Sequence, residues 1–310
     1  MHKAVLLKEA VEGLELQKGM TAVDATLGEG GHGLEIINKI GEKGVFVGID
    51  VDAEVIKKFQ ERVEVLENKP QVFLKNRNFS EIDKILQENE IKAADAILAD
   101  LGWRSEQVEN PVYGMSFQRD SKLDMRLGRE GKLTAEEIVN HWSKERLADI
   151  FKQYGEEKYA KMAAESIEKA REEAQIQTTV QLAEIVKKSL GKFYRKSRIH
   201  PATKIFQALR IVVNNELADL EVFLQKSIDL LDPGGRLAII SFHSLEDRKV
   251  KNFFRVNAGG CICPKEFPIC VCGKRPKLKV ITRKPIVPGE GELQQNARAR
   301  SAKLRIAEKI

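Results

Sequence analysis

A glycine-rich segment holds the residues of this chain best suited to bind a nucleotide. Gly28, Gly30 and Gly33 are spaced as G-x-G-x-x-G between a predicted strand and a predicted helix. Glycines at this spacing permit a tight turn and a close approach of the backbone to a nucleotide. Asp50 follows about twenty residues later, where its carboxylate can accept hydrogen bonds from both ribose hydroxyls. The alternative is an ordinary strand-to-helix turn, with Asp50 capping the next helix.

The acid before the loop bears on which nucleotide is bound. Asp24 ends the predicted strand, and Ala25-Thr26-Leu27 separates it from Gly28. In loops that bind NAD, the first glycine follows the strand almost directly and the helix start receives a pyrophosphate. A carboxylate here repels a pyrophosphate but attracts a ligand that carries a sulfonium and an amino group. The spacing therefore favours S-adenosylmethionine, and an NAD-dependent oxidoreductase stays open as the competing hypothesis.

A second acid, Asp100, ends the fourth predicted strand, at the edge where open α/β sheets bind their ligands. A methyl acceptor has to lie here to meet a sulfonium methyl in line. An exocyclic amine is a poor nucleophile because its lone pair is delocalised into the ring. Asp100 and the Leu101 carbonyl can accept hydrogen bonds from such an amine and stabilise the positive charge that develops during attack. The alternative for Asp100 is a plain helix cap.

A base reaches this acid only when it is unstacked or flipped between aromatic or apolar walls. Four aromatic residues are candidates for these walls, and each could instead belong to a core: Trp103, Tyr113, Phe117 and Phe242. His243 follows a late predicted strand and is a candidate for proton removal. A buried structural histidine is the alternative there.

The elements that position these residues alternate in the first third of the chain. Apolar, partly β-branched runs predict four buried strands at Thr21–Ala25, Gly44–Asp50, Gln71–Leu74 and Ala94–Ala99. Between them, helices are predicted at Leu34–Ile40, Ala53–Leu66 and Ser80–Asn89, the last with Ser80 as its N-cap. Alternating strands and helices predict a parallel sheet.

The middle of the chain has a different pattern. Leu133 to Leu190 predicts amphipathic helices, opened by a capping box of Thr134 and Glu137 and restarted at Thr178 or Thr179. Strand patterns return after the turn Asp232-Pro233-Gly234-Gly235, at Arg236–Ser241, Leu278–Thr282 and Lys303–Ala307. The sequence therefore predicts an α/β fold whose mostly parallel sheet is interrupted by an inserted helical domain.

Composition limits the class of partner. The 310 residues carry a net charge of +6, which favours polyanions over polycations. Basic residues crowd two segments, 192–210 and 274–309, and a solvated charged face is the alternative for either one. The sequence contains no run of the ~20 apolar residues that a membrane span needs. We therefore expect a cytoplasmic protein without a membrane partner.

Four cysteines lie in one short segment: Cys261, Cys263, Cys270 and Cys272. A disulfide framework is not expected in a reducing compartment. The spacing is compatible with a structural zinc site, although paired C-x-x-C knuckles are the stronger zinc signature.

Several motifs together resemble the bacterial 16S ribosomal RNA cytosine-N(4) methyltransferases, in the family's order from His2 to Arg305. The segments are Asp24-Ala25-Thr26-Leu27-Gly28-Glu29-Gly30-Gly31-His32, Leu123-Asp124-Met125-Arg126, Tyr154-Gly155-Glu156-Glu157, His200-Pro201-Ala202-Thr203, Phe206 to Ile211 and Ile240 to Arg248. The resemblance implies a Rossmann-like methyltransferase domain of residues 1–110 and 205–310. It also implies a helical insertion of residues 111–204, to which we assign RNA recognition.

The resemblance also implies an activity: methyl transfer from S-adenosylmethionine to the N(4) amine of a cytosine in the P-site decoding region of 16S rRNA, in the small ribosomal subunit. The expected cofactor contacts are Gly30, Gly31, His32, Asp50, Phe79, Asp100 and Gln107. Asp50 and Asp100 were also chosen from their own chemistry, whereas Phe79 and Gln107 rest on the resemblance alone. The catalytic candidates are Asp100, Asp124 and His243.

RNA contacts are expected from basic residues in or near the segment His200-Pro201-Ala202-Thr203 and in the C-terminal segment: His200, Arg210, Arg298 and Arg300. The chain departs from the family near the presumed target pocket, where Arg104 replaces a serine and Tyr113 an arginine. A third hypothesis is therefore a ribosome-assembly factor that kept the fold and lost the chemistry. The sequence also leaves open a homodimer and whether the substrate is free RNA or an assembled particle.

Overall fold

The computed structural model describes residues 4–103, 107, 110–127, 131, 133–197, 199–260 and 275–310, apart from the side chains of residues 297 and 298. The chain divides into two compact units. Unit 1 comprises Met1–Gly102 and Ala218–Ile310, and unit 2 comprises Trp103–Leu217. Unit 2 is therefore an insertion in the chain of unit 1.

Unit 1 is built on a seven-stranded sheet of order β3-β2-β1-β4-β5-β7-β6. The strands are β1 (Thr21–Asp24), β2 (Val45–Asp50), β3 (Gln71–Asn76), β4 (Ala94–Asp100), β5 (Leu231–Ser241), β6 (Leu278–Val280) and β7 (Lys303–Lys309). The first five strands pair in parallel, and β7 is antiparallel to β5 and β6. The prediction of a mostly parallel, Rossmann-like sheet is confirmed. The order reverses between β1 and β4, so the carboxyl ends of these strands flank the switch point where such sheets bind ligands.

The α-helices in chain order are α1 (Leu7–Gly13), α2 (Gly31–Ile40), α3 (Ala53–Glu64), α4 (Ile82–Glu88), α5 (Ala135–His141), α6 (Lys144–Gln153), α7 (Ala160–Glu173), α8 (Thr179–Leu190), α9 (Ala202–Val213), α10 (Glu216–Leu230), α11 (Ser244–Ala258) and α12 (Glu290–Gln295). Short 3₁₀ turns occupy Phe79–Glu81, Pro111–Tyr113, Gly191–Phe193 and Ala297–Ser301. No helix among the described residues has the length and apolarity to cross a bilayer.

Helices cover both faces of the sheet because successive strand residues point in opposite directions. Ala22 of β1 packs in one core with Phe59 of α3. The next residue, Val23, packs in the core on the other face with Ile85 of α4 and Leu224 of α10. Strands buried on both faces read as continuous apolar runs, which is why they were found in the sequence.

Unit 2 has a separate core formed by one face of each helix from α5 to α9, including Leu147, Phe151, Ile167 and Leu209. The Thr134 hydroxyl accepts a hydrogen bond from the Glu137 N–H and caps α5 as expected. At α8 the N-cap is Thr178, in a reciprocal capping box with Gln181. The predicted helical segment is therefore confirmed.

Two local predictions need correction. The helix predicted with Ser80 as its N-cap is capped by Asn78, whose side chain accepts from the Ser80 N–H and opens a 3₁₀ turn before α4. The Asp232-Pro233-Gly234-Gly235 turn lies within β5, where the register steps from Leu231 opposite Ala94 to Arg236 opposite Ala96. The extra residues bulge out of the ladder, and Gly234 has a φ of 84°.

Candidate active site

The glycine loop joins β1 to α2 and is tied to the end of β2 by Asp50. One Asp50 oxygen accepts a hydrogen bond from the Gly28 N–H at 2.9 Å, and the other accepts from the Asp52 N–H at 2.9 Å. The Leu27 N–H donates to the Ile49 carbonyl at 2.8 Å. Asp50 therefore shapes the loop, in addition to the ribose contact predicted for it.

A glycine is required at position 30 by both the backbone conformation and the neighbouring side chain. Gly30 precedes α2 with a φ of 74°, in the left-handed region that favours glycine. A Cβ added here would lie 2.2 Å from the Phe59 ring. Gly31 follows as the first residue of α2, where an added Cβ would lie 2.8 Å from the Ala4 Cβ. No side chain caps this helix.

Asp24, at the end of β1, is the most unusual charge in unit 1. Its side chain is buried, and one carboxylate oxygen accepts a long hydrogen bond of 3.2 Å from the Thr26 N–H. The other oxygen is buried and has no hydrogen-bond partner among the described residues. Burial, with smaller contributions from the charges of Asp100 and Asp50, raises the pKa of Asp24 to about 7, although the hydrogen bond from the Thr26 N–H opposes the shift. A buried unpaired acid oxygen beside two other acids is suited to a cationic ligand.

Asp100, at the end of β4, lies across the switch point from Asp24. Its N–H donates to the Thr26 hydroxyl at 2.6 Å, and its carboxylate accepts from the Gly102 N–H at 3.3 Å. The buried His32 ring approaches it from α2, with Nδ1 at 3.8 Å from the carboxylate and Nε2 at 3.1 Å from the Val5 carbonyl. His32 therefore connects α2, Asp100 and the segment before α1.

Among the predicted aromatic walls, Phe242 lies in unit 1 beside Asp100. A Cβ added to Gly102 would lie 2.6 Å from the Phe242 ring and 3.1 Å from an Asp100 oxygen. Gly102 thus permits an aromatic face to approach the acid. Phe79, in the turn after β3, packs edge-on against Phe223 with ring centroids 5.1 Å apart.

His243 is the N-cap of α11. Its Nδ1 accepts from the Glu246 N–H at 3.4 Å, and the Glu246 carboxylate accepts from the Phe242 and His243 N–H groups. Its buried Nε2 lies 3.0 Å from the Glu246 carboxylate without hydrogen-bonding geometry. These contacts agree with the alternative given above, that His243 is a buried structural histidine. Proton removal by His243 stays a prediction.

The other predicted cofactor and catalytic residues belong to unit 2. Asp124 binds Arg126 through two hydrogen bonds of 2.6 and 2.7 Å, and this contact lowers the pKa of Asp124. A carboxylate stabilised in its ionised form is a weak general base, so these contacts favour a structural role for Asp124. Gln107 is buried. Its cofactor contact stays a prediction.

Two predicted RNA contacts are held by intramolecular interactions. The Arg210 guanidinium binds both oxygens of Glu216 at 2.9 and 3.0 Å and lies 4.4 Å from the centre of the Trp103 ring. His200 stacks on Phe117 with ring centroids 4.7 Å apart, and its Nδ1 accepts from the Ala202 N–H. Burial and the charge of Lys187 lower the pKa of His200. Neither residue is arranged as an open phosphate contact.

Some predicted positions fall elsewhere. Cys261, Cys263, Cys270 and Cys272 lie outside the described residues, as does the side chain of Arg298. Arg300 is exposed in the last 3₁₀ turn. Thr26, which joins β1 to Asp100, was not predicted to have a role. The sequence feature that could have identified Thr26 is its position between Asp24 and Gly28. Because β1 and β4 pair side by side, a residue just after β1 lies close to the end of β4.

The residues of unit 1 fit S-adenosylmethionine on three observations. One Asp24 oxygen is buried and has no partner among the residues that the structure describes, Gly30 leaves space beside Phe59 where a side chain would clash, and acids end three adjacent strands. Asp24 and Asp50 would hold the amino and ribose parts of such a ligand, and Asp100 would face the methyl acceptor.

Comparisons with known proteins agree with this geometry. A family model described as the MraW methylase family matches residues 1–310. The chain is 47% identical over 309 residues to "Ribosomal RNA small subunit methyltransferase H" of Halothermothrix orenii, with 100% of this chain and 98% of that protein covered. The protein of the same name from Acetivibrio thermocellus is 45% identical over 309 residues, with 100% and 99% covered. The chain therefore belongs to the MraW methylase family.

Proposed function

We propose that this chain transfers a methyl group from S-adenosylmethionine to the exocyclic N(4) amine of a cytosine in the decoding region of small-subunit ribosomal RNA. The observation that carries the cofactor is the buried, unpaired oxygen of Asp24 beside Asp50 and Asp100. The acceptor is supported by relatives of matching length that are named as small-subunit rRNA methyltransferases.

The residues of unit 1 have separate tasks in this proposal. When bound, S-adenosylmethionine supplies an electrophilic methyl group on a positively charged sulfur. The Asp24 carboxylate binds the amino group of the cofactor, and Asp50 accepts hydrogen bonds from its ribose. The Phe79 ring, in the turn after β3, would contact the adenine. These contacts fix the cofactor at the switch point of the sheet.

Asp100 acts on the acceptor. Its carboxylate accepts a hydrogen bond from the cytosine amine, which localises the nitrogen lone pair and stabilises the positive charge formed in attack. A bond forms between this nitrogen and the methyl carbon as the bond from carbon to sulfur breaks. The amine then loses a proton to Asp100 or to water. Phe242 stacks on the flipped base beside Gly102.

Unit 2 supplies substrate recognition in this proposal. It is inserted in the chain between β4, which carries Asp100, and β5. The 3₁₀ turn after α8 and the segment that follows it present basic residues, including Lys192 and Arg195, to solvent. The substrate that this charge favours is the small-subunit ribosomal RNA.

The test is methyl transfer from labelled S-adenosylmethionine to small subunits that lack the modification, followed by nucleoside analysis. We expect N(4)-methylcytidine from the wild type, and a loss of about 100-fold or more in rate for Asp100→Asn. Asp229→Asn, at an exposed acid on α10, is the matched control and should keep full activity. Label in another nucleoside, or equal rates for Asp100→Asn and wild type, would contradict the assignment.

A cofactor titration separates the competing hypotheses. The proposal expects binding of S-adenosylmethionine and none of NAD. The oxidoreductase hypothesis expects the reverse. An assembly factor without catalysis would bind small subunits and yield no labelled nucleoside.

A further inference from the structure

A pair of stacked aromatic rings lies at the edge of the unit 2 core, where one ring packs against the core and the other is exposed. Tyr159 and Phe193 are stacked with centroids 4.0 Å apart and planes inclined by 17°. Phe193 is 40% exposed, which is unusual for a phenylalanine in a chain with a complete core. We define these two rings as the aromatic pair.

Positive charges surround the aromatic pair. The Lys192 ammonium lies 4.9 Å from the centre of the Phe193 ring, and the Lys158 ammonium lies 5.7 Å from that of Tyr159. Arg195 and Lys196 follow directly and are exposed. The sequence contains no acid between Glu184 and Glu216. The cations on the Phe193 side of the pair therefore have no acid close to them in the sequence.

A buried acid holds the aromatic pair in place. One oxygen of Glu157 accepts a hydrogen bond from the Tyr159 N–H at 2.8 Å, and the other accepts from the Tyr194 hydroxyl. Glu157 is only 2% exposed. It thus connects the segment that carries Tyr159 to the turn that carries Phe193. A surface ring fixed in this way loses little conformational entropy when a ligand stacks on it.

We propose that the aromatic pair is a stacking platform for an unpaired base of the RNA substrate, with Lys158, Lys192, Arg195 and Lys196 binding the adjoining phosphates. This inference rests on the proposed function, since it extends the recognition role of unit 2. An acidic peptide would satisfy the cations but offers no flat ring to the exposed face of Phe193. A single-stranded nucleic acid supplies both, because each base has a π-face next to a phosphate.

Lys192 links the aromatic pair to the phosphate-binding cations of the platform. Tyr159 is stacked on Phe193, and the Lys192 ammonium lies over the same Phe193 ring. An incoming base displaces this ammonium, which then reaches the phosphate of the same nucleotide. The platform is distinct from Asp100 and Phe242, which act on the methylated base itself.

The test measures binding of a fluorescein-labelled single-stranded RNA of about twelve nucleotides by anisotropy. Phe193→Ala should weaken binding about 10-fold, whereas Phe193→Trp should stay within about twofold of the wild type because it retains a stacking face. Val256→Ala, at an exposed apolar residue of α11, is the matched control and should not change affinity. Thermal unfolding of each variant verifies that it is folded.

The salt dependence of binding separates the contribution of the Phe193 ring from that of the cations. The slope of log affinity against log salt should be unchanged in Phe193→Ala and should fall by about 0.7 in each of Arg195→Gln and Lys196→Gln. A fully paired duplex RNA should bind Phe193→Ala and wild type equally. Wild-type affinity in Phe193→Ala, or equal losses in Phe193→Ala and Phe193→Trp, would overturn the platform. A loss of affinity for duplex RNA in Phe193→Ala, equal to its loss for single-stranded RNA, would also overturn the platform.

These outcomes are distinguishable from failure of the proposed function. If the wild type forms no N(4)-methylcytidine but Phe193→Ala still weakens binding of single strands alone, the platform holds and the methyl-transfer proposal fails. If the wild type methylates cytosine and Phe193→Ala binds single-stranded RNA normally, the proposed function holds and the platform is wrong.

Discussion

Asp24, one of the three acids at the switch point, opposes folding but favours binding of a cationic ligand. Asp24 is buried, has one unpaired oxygen and lies near the charges of Asp50 and Asp100. In the folded protein its pKa is about 7, compared with an ordinary value of 3.8. The difference corresponds to about 4 kcal/mol at most in the free energy of unfolding. A cationic ligand reverses this penalty because it stabilises the ionised form.

The substitution Asp24→Asn tests this account. A folded-state pKa above the unfolded value means that the folded protein binds the proton more tightly, so this group's contribution to stability falls as the pH rises from about 4 to about 7. Asp24→Asn removes the penalty. We expect it to raise the free energy of unfolding by about 1–3 kcal/mol at about pH 8, and by less at about pH 5.

The same variant should bind S-adenosylmethionine at least about 10-fold more weakly, because it lacks the negative charge. Urea unfolding at the two pH values and calorimetric titration measure the two effects, with Asp229→Asn as the control. A variant that is destabilised at both pH values, or that binds the cofactor normally, would contradict the role given to Asp24.

At the scale of elements, the joint between β1 and α2 depends on close packing of backbone against a ring. Gly30 lies against Phe59 of α3, and Gly33 lies in the same crowded region, where a Cβ would be 3.0 Å from both Leu27 and Phe59. The loop thus holds β1, α2 and α3 together. A conventional side chain would push these elements apart.

Gly30→Ala and Gly19→Ala separate conformation from packing. Both glycines have a positive φ, at 74° and 88°, but Gly19 has no heavy atom within 4 Å of an added Cβ. Gly19→Ala should cost about 1 kcal/mol, and Gly30→Ala about 2–4 kcal/mol because the Phe59 ring must also move. Urea unfolding gives both values. Equal costs would show that Phe59 imposes no restriction on the loop.

At the scale of the whole molecule, the two units have separate cores and separate charge patterns. The acids that face the proposed cofactor are in unit 1, and the aromatic pair with its cations is in unit 2. Each core is closed by its own helices. Cofactor binding should therefore stabilise chiefly the elements that contact the cofactor.

Hydrogen exchange with and without S-adenosylmethionine measures this directly. We expect exchange to slow in the segments that hold Asp24 to His32, Asp50 and Asp100, and in the peptide with Gln107 if its predicted contact exists. Exchange in α6 and α7 should not change. Equal slowing throughout unit 2 would show that the two units respond as one cooperative body.

The sequence by itself determined the sheet, the helical insertion and most of the cofactor loop. Strands buried on both faces and helices with capping residues leave local patterns, and the spacing of Gly28, Gly30 and Asp50 reflects one turn at the end of one strand. Asp24 was recognised because its charge excludes a pyrophosphate. Each of these signals lies within a few residues or within one repeat of strand and helix.

Only the tertiary structure decided which partners the side chains take. The contacts of Asp100 with Thr26 and His32, of Arg210 with Glu216 and of Tyr159 with Phe193 join residues that no local pattern connects. Arg210 and His200 were predicted to contact RNA from their charge and motif; the structure adds their neighbours within unit 2, and the RNA contacts stay predictions. Burial and pairing depend on segments far apart in the chain, so the state of a charge emerges only after the fold has brought them together.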